Sequence, residues 1–225
     1  MAELFNIQLE SDLSEYTTTQ TDSGDLYWSG TAELAGTSGG MACLIDDANA
    51  IYGDKTVTPN TSGVYRIRFY FDPNGLSMGE GTAIRLLGTR SNANDQVYVN
   101  VYYNSSNYQI RLIWYNDAGQ AAGGYYTISD AEHYIEIMHV RASSDVASDG
   151  SVQLWIDGGL EETNSGEDNW GYVLDDVWFY LNDDGVTWAI ATGQEPAIWP
   201  EDEIEKWLSF STFNLKQIYL NLIQS

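Results

Sequence analysis

The stretch Tyr65-Arg66-Ile67-Arg68-Phe69-Tyr70-Phe71 decides the fold. Its apolar side chains recur at every second position. Tyr65, Ile67, Phe69 and Phe71 therefore share one face of an extended strand, with Arg66, Arg68 and Tyr70 on the other. Two later runs keep the same period: Gln96-Val97-Tyr98-Val99-Asn100-Val101-Tyr102 and Tyr108-Gln109-Ile110-Arg111-Leu112-Ile113-Trp114. Residues 134–140, 152–156 and 177–181 are further strand candidates. Asp72-Pro73-Asn74-Gly75, Asn116-Asp117-Ala118-Gly119, Ser148-Asp149-Gly150, Asp157-Gly158-Gly159 and Asn182-Asp183-Asp184-Gly185 separate the runs with residues suited to tight turns and positive φ. Many short strands set apart in this way predict an all-β antiparallel sandwich, not a βαβ fold.

The 225 residues suffice for one β domain with a sizeable core. No linker and no internal repeat divides them, so a single domain over 1–225 is expected. With 9 basic and 33 acidic residues the net charge is −24. That charge excludes nucleic-acid binding through phosphate contacts, which needs clusters of Lys and Arg, and disfavours an anionic membrane surface. The chain is nevertheless 43% hydrophobic and 13% aromatic, which is material for a packed core and not for an acidic tail. The one cysteine, Cys43, excludes an intrachain disulfide, and its apolar setting Met41-Ala42-Cys43-Leu44-Ile45 predicts a buried thiol. The start Met1-Ala2-Glu3-Leu4-Phe5 does not read as a signal peptide, and no run is long and apolar enough for a membrane helix. The localisation expected from this is a virion or an extracellular surface reached as part of a larger particle.

One segment breaks the strand pattern. Pro200 stands before Glu201-Asp202-Glu203, and Ile204, Trp207 and Leu208 recur at helical spacing, which predicts one short helix near the C-terminus. Residues 186–208 read as an insertion before a closing strand at 212–222. The surplus apolar side chains there, Trp188, Trp199 and Trp207 above all, predict a contact with a protein partner or a second copy of the chain.

Taken in order, several runs resemble the laminin-G-like, concanavalin A-like jelly rolls of bacterial surface proteins and some tailed-phage structural proteins. These runs are Gly39 to Asp47, Tyr65 to Asn74, Tyr126-Thr127-Ile128-Ser129-Asp130, His133-Tyr134-Ile135-Glu136-Ile137 and Gly150-Ser151-Val152-Gln153-Leu154-Trp155-Ile156-Asp157-Gly158. The resemblance covers roughly residues 4–182. It implies two curved antiparallel sheets, one concave face, and a binding or structural role. The same superfamily contains laminarinase-type glucanases, whose Glu-x-Asp-x-(x)-Glu strand places nucleophile and acid/base on one face. The comparable strand here is 134–140. It offers Glu136, but Met138 and Val140 stand where the partners would be, so a glycoside hydrolase is disfavoured.

Other chemistry is equally sparse. His133 and His139 lie roughly 20 Å apart on an extended strand, too far to share a metal ion. A Ser-His-Asp arrangement stays open, although no Gly-x-Ser-x-Gly elbow occurs. No phosphate-cradling glycine loop precedes a helix. A structural calcium ion at Asp46, Asp47, Asp168 and Asn169 is the one cofactor the resemblance suggests. Tyr98, Asn100 and Tyr102 share a parity opposite Val97, Val99 and Val101. That polar, aromatic face is the candidate site for a glycan or a protein, because aromatic rings stack on pyranose faces. The expected function is a noncatalytic structural or binding jelly roll, a capsid decoration, tail or surface protein that docks on a particle. The alternative is a free-standing carbohydrate-binding module.

Overall fold

Period-two alternation becomes strand along most of the chain. This computed structural model describes residues 2–3, 11–34, 38–44, 49–60, 63–171, 173–180, 197–200 and 221–222. The strands run β1 (Ala2–Glu3), β2 (Thr18–Gln20), β3 (Leu26–Ser29), β4 (Gly40–Cys43), β5 (Tyr52–Asn60), β6 (Val64–Asp72), β7 (Thr82–Ser91), β8 (Asn94–Asn104) and β9 (Asn107–Asn116). They continue as β10 (Gly119–Ala122), β11 (Tyr126–Ile128), β12 (His133–Val140), β13 (Gly150–Ile156), β14 (Gly159–Glu167), β15 (Leu174–Tyr180), β16 (Ala197–Pro200) and β17 (Asn221–Leu222). Among the described residues the only helical piece is a 3-10 turn at Asp22–Gly24.

Two antiparallel sheets form a sandwich. The first has the order β10-β9-β8-β7-β15-β5-β2, with β11 also pairing with β9; the second has the order β14-β13-β12-β6-β16-β4-β3. β1 pairs with β17 apart from both. The alternation expected of β6 holds: Tyr65, Ile67, Phe69 and Phe71 are all at most 1% exposed. Ile135 and Ile137 of β12 and Val152 and Leu154 of β13 join them from the same sheet. Val97, Val99 and Val101 of β8, Ile110 and Leu112 of β9, and Val177 and Phe179 of β15 close the core from the first sheet. Phe69 meets Phe179 edge to face across the core at 6.4 Å. Cys43 is buried, as its apolar run predicts, and forms no disulfide.

Three hairpins turn on two successive residues with positive φ, the backbone that matches strand twist. Asn92 and Ala93 (48° and 64°) join β7 to β8, Ser105 and Ser106 (51° and 62°) join β8 to β9, and Asp157 and Gly158 (50° and 81°) join β13 to β14.

The C-terminal region departs from the sequence expectation. Residues 197–200, assigned above to an insertion, form β16, which pairs with both β6 and β4 in the second sheet. Pro200 ends that strand opposite Phe69, beyond the positions where β16 pairs with β4, so a missing N–H is tolerated. The helix expected after Pro200 lies outside the described residues, as do Trp188, Trp207 and the closing strand up to residue 220.

Candidate active site

The face of the first sheet that turns away from the core is built by three neighbouring strands. Burying Val97, Val99 and Val101 forces Tyr98, Asn100 and Tyr102 outward. Strand register then sets Arg85 of β7 and Arg111 of β9 on either side of Asn100. The result is a row, Arg85–Asn100–Arg111, across three strands, flanked along β8 by Tyr98 and Tyr102. Tyr125, just before β11, is 47% exposed and completes the rim beside Arg111.

The arginines in this row are held differently. Arg85 donates to Asp95 at 2.9 Å and lies over the Tyr98 ring at 4.0 Å. Asp95 also accepts from Arg90 at 3.1 Å, so one carboxylate serves two guanidinium groups. Arg111 donates through Nε to the Gly123 carbonyl at 3.0 Å and through Nη1 to the Tyr125 hydroxyl at 2.9 Å. Its guanidinium sits 4.5 Å from the Tyr125 ring and 5.9 Å from the Tyr102 ring. It forms no ion pair with any carboxylate among the described residues. Asn100 donates to the Tyr102 hydroxyl at 3.5 Å, and its Oδ1 is buried without a hydrogen-bond partner. Gln109, opposite Tyr102 in the register, likewise carries a buried, unpartnered Oε1. Tyr98 is mostly covered, and burial, with Tyr115 adding and Arg85 opposing, pushes its hydroxyl up to about 12. Tyr98 therefore stays protonated at neutral pH. At one end the face opens into a cleft of about 470 Å³ lined by Arg90, Asn92, Asp95, Tyr115 and Gly171.

The second sheet's outer face is organised otherwise. Glu136, the candidate carboxylate of the glucanase comparison, is 1% exposed and bridges Arg66 at 2.9 Å and Arg68 at 2.7 Å. Arg66 lies over Trp155 at 4.4 Å and Arg68 over Tyr134 at 4.7 Å. Burial pushes the Glu136 carboxyl up, against the pull of Arg68 and Arg66. A buried, doubly paired carboxylate presents no nucleophile to a sugar.

Of the proposed calcium ligands, Asp46 and Asp47 lie outside the described residues. Asn169 is fully buried. Its Oδ1 accepts the Ala142 N–H at 2.6 Å, and its Nδ2 donates to His139 Nε2 at 2.9 Å. Asp168, whose Oδ1 has no partner, does not share a set of free oxygens with it. Among the described residues no group of three or more His, Cys, Asp or Glu side chains converges as a metal site would require. Trp199 falls opposite Tyr70 in the register of β16 and β6. Tyr98, Asn100 and Tyr102 do stand together. Arg85, Arg111 and Tyr125 beside them escape sequence reading, because only strand pairing brings them into one row.

No protein-family model matches this sequence, and no curated protein does either. Solved structures do match in fold. Alginate lyase Aly36B in complex with alginate trisaccharide is 10% identical with a TM-score of 0.63, over 98% of this chain and 94% of that one. An endo-β-1,4-glucuronan lyase from the fungus Trichoderma reesei is 9% identical with a TM-score of 0.62, over 99% of this chain and 96% of that one. A chain described as a sialidase is 10% identical with a TM-score of 0.55; the match covers 98% of this chain but 18% of that one. At such identities the likeness is one of fold, and the fold is a β-sandwich jelly roll, as the sequence predicts. The expected function needs correction. The alginate and glucuronan structures are those of lyases, so the reading as a noncatalytic particle-docking protein, and as no enzyme, is overturned. Nothing among them supports a capsid or virion role.

Proposed function

We propose that the protein is a polysaccharide lyase that cleaves uronate-containing glycans by β-elimination on the outer face of β7, β8 and β9. Elimination removes the proton on the carbon next to the uronate carboxylate and expels the glycosidic oxygen one carbon further on. That proton is only weakly acidic. A cation or amide donor on the carboxylate stabilises the charge that develops as the proton leaves, and a nearby hydroxyl or imidazole relays it.

The observation that carries the reading is Arg111. In a chain of net charge −24 its guanidinium meets no described carboxylate, and it stands in register with Asn100 between two tyrosines. Arg111 and the Asn100 amide are assigned to the substrate carboxylate. Tyr102, within hydrogen-bond reach of Asn100 and beside Arg111, is assigned the proton transfer. Tyr98, held protonated, and Arg85, shared with Asp95, position the neighbouring sugar. The glycan partner expected from the aromatic face remains in this reading as the substrate.

The test is cleavage of polymannuronate, polyguluronate and polyglucuronate, followed by the ultraviolet absorbance of the unsaturated product. At least one polymer should be cleaved. Tyr102→Phe should lower kcat by on the order of 100-fold, the usual loss with a general acid–base group, without lowering the melting temperature. A wild-type protein inert on all three polymers, or a Tyr102→Phe variant at the wild-type rate, overturns the proposal.

A further inference from the structure

A second constellation lies at the far end of β11, away from Arg111. Ser129 follows β11, His133 opens β12, and Asp157 begins the turn between β13 and β14. Ser129 Oγ stands 2.8 Å from His133 Nε2, and His133 Nδ1 stands 2.6 Å from Asp157 Oδ2. Two further contacts fix the chemistry of this chain of bonds. The Ser129 backbone N–H points at Nε2 at 3.2 Å, and an N–H can only donate, so Nε2 is the accepting nitrogen. Nδ1 is then the donating nitrogen, and its N–H donates a hydrogen bond to Asp157 Oδ2. The other oxygen of Asp157 accepts the Tyr134 N–H at 3.0 Å, and the Asp157 N–H donates back to the Tyr134 carbonyl at 2.9 Å, which locks the carboxylate in place. Ser129 is exposed to solvent, while the His133 side chain is 13% exposed. The arrangement is an open nucleophile, a base within hydrogen-bond reach, and a third group that orients the base.

We propose that Ser129, His133 and Asp157 form a separate acyl-transfer centre that hydrolyses small esters. Ser129 Oγ attacks the ester carbonyl carbon and its proton passes to His133 Nε2. The bond to the alcohol oxygen then breaks, and the alcohol leaves with that proton. Water next attacks the acyl-serine, giving its proton to Nε2. The acid departs as Ser129 recovers its hydrogen. The balance is ester plus water to acid plus alcohol. Asp157 holds the base, and Asp130 and Glu132 lie within three residues of the nucleophile in the sequence, so the segment is acidic and the ester it accepts is neutral, not anionic.

The probes are a fluorophosphonate, which traps an activated serine, and p-nitrophenyl acetate, whose good leaving group lowers the demand for oxyanion donors. Wild-type protein should carry the phosphonyl group on Ser129, located by peptide mass spectrometry. Ser129→Ala should lose both the label and the burst of nitrophenolate. Asp157→Asn tolerates the same positive φ and removes only the charge. It should slow both reactions by on the order of 100-fold with the melting temperature kept, as expected when a general base is misoriented. Wild-type protein unlabelled at Ser129, or ester hydrolysis equal in wild type and Ser129→Ala, overturns the proposal.

Discussion

On the outer face of the second sheet, Arg66 and Arg68 close on the single carboxylate of Glu136. On the outer face of the first, Arg111 closes on none of the described carboxylates and leans on tyrosine rings instead. Both faces arose from the same alternation of apolar and polar residues. Arg85, on that first face, has Asp95; what separates Arg111 from Arg66 and Arg68 is whether the protein itself supplies the anion. Where it does, the arginines belong to the fold. Where it does not, the charge is left for something that comes from outside.

The largest effect should follow from breaking the self-contained face. Glu136→Gln removes the buried carboxylate that Arg66 and Arg68 share, and breaking a buried ion pair costs about 3–5 kcal/mol. A drop of that size in urea unfolding is expected. Arg111→Ala should do the reverse: abolish glycan cleavage while costing about 1 kcal/mol through lost ring and carbonyl contacts. Near-equal stability losses in the two variants would erase the distinction.

A second contrast involves Asp54 of β5, which is 7% exposed and has an unpartnered Oδ1. Unlike Glu136, it is not bridged by two arginines. Burial, with Asp176 adding, raises its carboxyl from 3.8 to about 6. The folded state therefore keeps a proton that the unfolded chain has already lost. The stability this contributes is full below about 4 and gone above about 6. Asp54→Asn should thus melt higher than wild type at neutral pH and show no such gain at pH 4; equal shifts at both values would contradict the assignment.

The smallest effect concerns salt. A net charge of −24 repels a polyuronate at long range, whereas Arg111 acts at contact. Ions at about 0.1 M shorten the reach of the repulsion to roughly 10 Å. The initial rate of cleavage at subsaturating substrate should therefore rise a few-fold on adding salt from low ionic strength. A steady fall from the start would mean that the local arginines outweigh the rest of the chain.

How much of this is legible in the sequence depends on the bond that carries it. The core faces of β6 and β8 are read directly, because alternation is a property of one strand. So is the Asp157-Gly158 turn, whose residues favour positive φ. β7 is not read, since a bulge between Arg85 and Leu87 breaks its parity and buries both Leu86 and Leu87. The turns at Asn92-Ala93 and Ser105-Ser106 hold no glycine, and Ala93, Ser105 and Ser106 do not announce a left-handed backbone. At the site, Tyr98, Asn100 and Tyr102 are found by parity. Arg85 and Arg111 join them only through register, a relation between strands that no single run contains. Ser129, His133 and Asp157 are brought together the same way, by the meeting of one loop and one hairpin.

The position of two late strands has a consequence for synthesis. β15 lies between β7 and β5, and β16 between β6 and β4. Each sheet thus receives a middle strand only after everything on either side of it has been made. While the ribosome is still short of residue 174, β5 and β7 face each other across an empty slot, and so do β4 and β6. Four strand edges then present unpaired N–H and C=O groups to any neighbouring nascent chain. The closing pairings span between 86 and 157 residues of sequence, which makes them slow to form. The hazard for this protein is therefore greatest just before residues 174–200 are made, when most of the core residues exist and neither sheet is yet whole.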